Sequence, residues 1–98
     1  MSKSTEKQLL IDKIVEAIQD TKGEDIKIFD LSNIENSVAE TFIICSGNSN
    51  TQVSAIAGNI EKKVRNEIKE RPWHVEGTDN AMWVLVDYVS VVVHVFQR

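Results

Sequence analysis

Apolar positions along this chain follow two spacings, and the switch between them marks its elements. Leu10, Ile11, Ile14, Val15 and Ile18 recur every three or four residues, which predicts an amphipathic helix over about residues 5 to 21 with Gly23 as its C-terminal stop. Asp25 to Leu31 alternates instead, with Ile26 and Ile28 on one side and Phe29 and Leu31 on the other. Apolar groups on both sides predict a strand in the interior of a sheet. Ser32 to Glu40 is polar and predicts a loop with a short helical turn, after which Thr41 to Ser46 reads as a β-branched-rich strand ending at Gly47. Ser49 and Gln52 then stand three apart, the spacing of a capping box, and Val53, Ile56, Ala57, Ile60, Val64 and Ile68 carry one apolar stripe until Pro72 forbids further helix. Trp73 to Glu76 predicts a third, short strand.

The C-terminal third holds two more apolar runs, Trp83 to Tyr88 and Val91 to Phe96, separated by Val89-Ser90. If those two residues form a tight turn, Tyr88 faces Val91, Val86 faces Val93 and Val84 faces Val95. This aliphatic side predicts a surface that covers a helix. The opposite side pairs Asp87 with Val92, Leu85 with His94 and Trp83 with Phe96, and leaves Asp87 and His94 as diagonal neighbours. That side is mixed, and aromatic groups ringed by a few charges predict a protein-binding patch. Neither Val89 nor Ser90 favours the positive φ that tight hairpin turns require.

Together the elements predict one domain over residues 1–98 of the α/β (α+β) class, a mixed five-stranded sheet with helices packed on it. Strand, helix, strand in the middle of the chain predicts a right-handed parallel crossover, while the last three strands are close enough in sequence to run antiparallel. One face of such a sheet can stay partly open.

Charge narrows the partners. Eleven basic residues against fifteen acidic ones give a net charge of −4, with no Lys/Arg run that could track a phosphate backbone, so no direct nucleic-acid binding is expected and a basic protein partner is. A chain of 98 residues buries only roughly 60 to 70% of its unfolded surface, which makes a homodimer plausible. No run approaches the roughly 20 apolar residues of a membrane span, and Asp12 and Lys13 interrupt Leu9-Leu10-Ile11, so neither membrane nor secretory signal is expected. With the lone Cys45 these features predict a cytoplasmic protein.

Candidate chemistry is sparse. Cys45, His94 and Asp87 contain the types of a nucleophile, a base and an orienting acid, but Cys45 lies inside an apolar strand, where a thiol is ordinarily a small core residue. A His-Asp pair inside or beside a sheet is more often a satisfied polar contact than a functional one. One Cys and two His do not make zinc spacing, and His74 reads as an exposed strand residue. The stretch from Glu61 to Arg71 alternates in sign, as a solvated helix face does. No catalytic residue, metal or cofactor is expected.

Asp25 to Leu31, Phe42 to Ser49, Glu76-Gly77, Trp83 to Tyr88 and Val92 to Phe96, in that order and spacing, resemble the ribosomal silencing factor family, RsfS or Iojap, over nearly the whole chain. The resemblance implies a non-enzymatic translation repressor. It implies binding to ribosomal protein L-fourteen of the large subunit, where the small subunit docks, so that joining is blocked under nutrient limitation. The family's motif positions fall on Glu76, Gly77, Trp83, Asp87, His94 and Phe96, and Glu76 and Asp87 would meet Lys or Arg of the partner. Three departures stand out. Glu40-Thr41 replaces the family's usual Asp-Tyr, Val89-Ser90 replaces its Gly-Asp turn, and members typically continue past the position of Arg98 with an aromatic, Leu-rich tail. The family's fold is also similar to that of nucleotidyltransferases, in which a Gly-Ser turn at a helix start holds phosphates. Gly47-Asn48-Ser49 sits at such a turn, so a divergent nucleotide-binding domain is the alternative, although no strand offers paired carboxylates for magnesium. A simple homodimerisation module is a further alternative.

Overall fold

The computed structural model describes residues 3–31, 33, 40–77, 79 and 82–98. Helix α1 spans Lys3–Asp20, followed by strands β1 (Glu24–Asp30) and β2 (Thr41–Gly47), helix α2 (Asn50–Ile68), and strands β3 (His74–Glu76), β4 (Trp83–Asp87) and β5 (Val91–Gln97). The five strands form one mixed sheet in the order β1-β2-β5-β4-β3. Both helices lie on the same face, because the buried cluster joins Leu10, Ile14 and Ile18 of α1 and Val53, Ile56 and Ile60 of α2 to one alternating set of strand residues. That set is Ile43, Cys45, Val84, Val86 and the odd-numbered valines of β5.

Each helix ends where its sequence stops supplying the next turn. At the close of α1 the Gly23 N–H donates to the Ile18 carbonyl at 2.9 Å and the Lys22 N–H to the Gln19 carbonyl at 3.0 Å, the double closure of a Schellman motif. The left-handed residue of that motif is Lys22, at φ 64°, rather than Gly23. Gly23 is required for a different reason: a Cβ there would lie 2.4 Å from Cγ2 of Ile18. At the start of α2 the Ser49 hydroxyl accepts the Gln52 N–H at 3.1 Å, while Oε1 of Gln52 accepts the Asn48 N–H at 2.6 Å. The spacing of Ser49 and Gln52 thus produces the predicted N-cap, with the return bond of Gln52 taken by the Asn48 N–H in place of the Ser49 N–H of a capping box. The loop and short helical turn expected between Ser32 and Glu40 fall, except for Asn33 and Glu40, outside the described residues.

Two expectations are corrected. β1 is an edge strand, not an interior one: it pairs with β2 alone, antiparallel, and leaves Ile28 50% and Phe29 44% exposed. Apolar residues on both faces of a strand report two partly covered faces and carry no information on lateral neighbours. The parallel pairing also differs from a β2-α2-β3 unit. The parallel neighbour of β2 is β5, from Thr41 opposite Val91 to Gly47 opposite Gln97, and β3 lies at the far edge beyond β4. The long valine run of β5 can be buried only in the middle of the sheet, whereas β3 has three residues and an exposed flank. The alternating charges on α2 do more than face solvent, since Lys13 of α1 and Lys63 of α2 both pair with Glu67, at 2.9 and 3.0 Å, and tie the helices together.

The hairpin register matches the expected one at every pair from Asp87–Val92 to Trp83–Phe96. Its turn is strained. Val89 has φ 74°, a region costly for a β-branched residue, and the Ser90 N–H donates to the Tyr88 carbonyl at 2.9 Å, closing a three-residue turn around it. Oδ1 of Asp87 accepts the Val89 N–H at 2.7 Å and helps to hold that conformation. Replacing Val89 by Gly removes the strain at the cost of a more flexible unfolded chain. Val89→Gly is expected to stabilise the protein by about 1 kcal/mol, which a thermal melt would register as a rise in Tm of roughly 4 to 8 °C. An unchanged or lower Tm would show that the turn is not strained.

Candidate partner-binding face

The strand residues that do not face the helices make up the second side of the sheet, and no described element covers it. Pleating and register arrange them in rows. One row runs Phe29, Phe42, Val92, Asp87, His74 from β1 to β3, and the next runs Lys27, Ile44, His94, Leu85, Glu76. At the far end Ser46, Phe96 and Trp83 form a shorter row. The middle of this face is apolar, and its charged groups lie toward the flanks.

His94 is the centre of an aromatic cluster. Its ring centroid is 5.3 Å from that of Phe42 and 5.9 Å from that of Trp83, both tilted, and 6.1 Å from that of Phe96, with the planes only 8° apart. Trp83 and Phe96 complete the group at 6.4 Å. Such spacings let rings pack edge to face or offset. Partial burial lowers the pKa of His94 below the ordinary 6.5, so the imidazole is neutral at pH 7 and serves as one more flat ring. Phe96 remains 39% exposed, and Trp83, Leu85, Phe42 and Ile44 are half-buried, so the cluster is presented to the outside.

All five residues singled out as a partner surface, Glu76, Trp83, Asp87, His94 and Phe96, project from this side. They are not one contact group. Trp83, His94 and Phe96 are in mutual contact, whereas Asp87 turns its carboxylate toward the Val89 N–H, and Oε1 of Glu76 lies 3.0 Å from Nε2 of His74. The diagonal placement of Asp87 and His94 is present, but the hydrogen bond of Asp87 goes to the turn. Sequence reasoning did not include Phe29, Phe42 and Ile44. The alternation of Phe42 and Ile44 with the buried Ile43 and Cys45 carried that signal, but only the parallel pairing with β5 sets them beside His94.

Gly77 supports the face from behind. It adopts φ 84°, and a Cβ there would fall 1.9 Å from the backbone carbonyl oxygen of Trp83. The chain leaving β3 therefore runs directly against the start of β4, and no side chain fits between them.

The enzymatic arrangements considered from sequence do not come together. Cys45 pairs in register with Val95 and points to the helices, while His94 points to the opposite side, so the sheet separates thiol from imidazole. Burial pushes the Cys45 thiol up to about 12 and keeps it protonated. At Gly47-Asn48-Ser49 the N–H groups of Asn48 and Gln52 are engaged by the cap. Glu24 and Asp25 stand beside this turn, accepting from the side chains of Asn48 and Ser46 and pairing with Arg98. Carboxylates there repel phosphate. Among the described residues no three His, Cys, Asp or Glu converge as a metal site, and no described helix is long and apolar enough to cross a membrane.

Comparison with known proteins identifies the architecture. Residues 3–98 match the family model described as "Ribosomal silencing factor during starvation". The chain belongs to the ribosomal silencing factor family. Its similarity to individual members is extensive. It is 46% identical over 83 residues to ribosomal silencing factor RsfS of Bacillus subtilis, covering 84% of this chain and 68% of that protein. It is 41% identical over 91 residues to the RsfS of Halalkalibacterium halodurans, covering 93% of this chain and 76% of that one. A crystal structure of a Chromobacterium violaceum protein superposes with a TM-score of 0.85 at 37% identity, over 92% of this chain and 73% of that one. The fold is therefore shared with a solved protein.

The Gly77 contact yields a direct test. Gly77→Ala is expected to cost about 2 to 4 kcal/mol, because a forced left-handed alanine and a backbone collision act together. A urea midpoint within error of the parent would mean that the β3–β4 connection relaxes freely.

Proposed function

We propose that this protein represses translation by docking its open sheet face on the large ribosomal subunit, with ribosomal protein L-fourteen as the contact, so that the small subunit cannot join. The reading places its action in the cytoplasm, under nutrient limitation, and assigns it no catalytic step. The observation that carries it is the aromatic cluster of Trp83, His94 and Phe96, held half-exposed on a sheet face that no described element covers. Buried aromatic anchors supply most of the affinity in protein interfaces, and complementary charge supplies steering and orientation. A chain of net charge −4 with Glu76 and Asp87 on the flank of that face suits a basic ribosomal protein.

Self-association is a second reading, favoured by β1. An edge strand with Ile28 and Phe29 exposed offers both backbone pairing and apolar area to a second copy. A homodimer formed there would leave the aromatic cluster on β4 and β5 free. Sedimentation equilibrium of the parent chain and of Ile28→Glu separates the two surfaces, since Ile28 lies on the helix-facing side of the edge strand and a charge there disturbs a β1 dimer but not the open face.

Co-sedimentation with isolated large and small subunits tests the main reading. The parent chain is expected to pellet with large subunits only. Trp83→Ala should weaken that association by about 30-fold or more, the loss of one aromatic anchor worth about 2 kcal/mol. Asp87→Asn keeps the oxygen that accepts the Val89 N–H while removing the charge, so it should weaken binding chiefly at low salt. Undiminished binding by a folded Trp83→Ala variant would move the contact off this face.

A further inference from the structure

We propose that His94 makes the docking face acid-sensitive: the imidazole at the centre of the aromatic cluster has to be uncharged for a basic partner to cover it, so association with the large subunit weakens as pH falls. This rests on the docking reading above. His94 is flanked in its row by Ile44 on β2 and Leu85 on β4, and its ring contacts are with Phe42, Trp83 and Phe96. None of these carries charge. The charged and titratable groups described on the same face are Lys27 on β1 and Glu76 on β3, each two strands away in its row, Asp87 on the diagonal with His74 beyond it, and, at the far end past Phe96 and Ser46, Glu24 and Asp25, both paired with Arg98. Asp87 is turned to the Val89 N–H and Glu76 to His74, so neither carboxylate is aimed at the imidazole. The helices pack on the opposite face, with the sheet and its buried apolar side chains between them and His94.

In the free protein, water reaches the exposed part of the ring and can hydrate an imidazolium. A basic partner covering the cluster removes that water and brings like charge. Both changes disfavour the protonated form. Attraction between an imidazolium and the surrounding rings exists with or without the partner and does not offset the water lost on docking. The complex therefore binds the proton more weakly than the free chain does. By linkage, affinity is full at neutral pH and falls as pH drops through the range where the free chain takes up the proton and the complex does not. Burial already places that range below the ordinary 6.5. One proton limits the loss to about tenfold per pH unit.

The test measures Kd of the full chain for isolated large subunits at about pH 7.5 and about pH 5.5, at constant ionic strength, for the parent, His94→Phe and His94→Gln. The readout is the ratio of the two Kd values for each protein, so affinity changes common to both pH values drop out. The parent is expected to lose several-fold, with about tenfold as the upper bound because the proton is taken up below pH 6.5, while either variant, uncharged at both pH values, changes by less than about twofold. His94→Gln keeps the test informative if the phenyl ring disturbs folding. A flat parent ratio, or the same loss in the variants, overturns the role of His94 and leaves the docking reading standing. Failure of the parent to bind at the higher pH overturns the docking reading and this inference together.

Discussion

The parallel pairing of β2 with β5 is the constraint on which the rest of the structure depends. Because side chains alternate along both strands, this one alignment sorts ten apolar or aromatic residues at once. Ile43, Cys45 and the odd-numbered valines go under the helices, and Phe42, Ile44, Val92, His94 and Phe96 go to the other side. A slip by one residue would carry His94 into the core and expose Val93, so burial of the helix-facing set enforces the presentation of the other. β1 then adds to the free side of β2, and β4 to the free side of β5, each bringing its own alternation into line with the central pair.

The face is held firmly where the aromatic cluster needs it. At one end of β4 the turn is fixed by Asp87 and closed around a left-handed Val89, and at the other Gly77 lets the chain pass against Trp83. Arg98, paired with Glu24 and Asp25, fastens the end of β5 to the start of β1. A surface ordered in advance loses less conformational entropy when it is covered, which suits the proposed docking. The same economy gives Asp87 two demands: its carboxylate builds the turn, and its remaining charge faces outward. This is why a charge reversal at Asp87 would confuse folding with binding, and why the isosteric amide separates them.

Much of this was legible in the chain itself. The helical stripes of α1 and α2, the Ser49/Gln52 cap and the Asp87–Val92 to Trp83–Phe96 register are all local, set by spacings of two, three or four residues that a reader of the sequence can count. The grouping of Trp83, His94 and Phe96 follows from the hairpin alone, as does the family resemblance carried by those segments. Even the turn announced its difficulty, since no residue in Val89-Ser90 tolerates positive φ well and Val89 adopts it nonetheless.

Lateral order was not legible. Nothing in Asp25 to Leu31 distinguishes an edge strand with apolar residues from a central one, and nothing local makes β5 rather than β3 the parallel neighbour of β2. Those choices come from competition among strands for the buried middle of the sheet, which is settled by total burial and not by any short window. Phe42 and Ile44 reach the open face beside His94, and Cys45 and His94 end on opposite sides, only through that competition. The sequence by itself determined which residues share a face within each element and within the hairpin, because alternation and helical period are local. The tertiary structure decided which faces adjoin, because strand order is a property of the whole core.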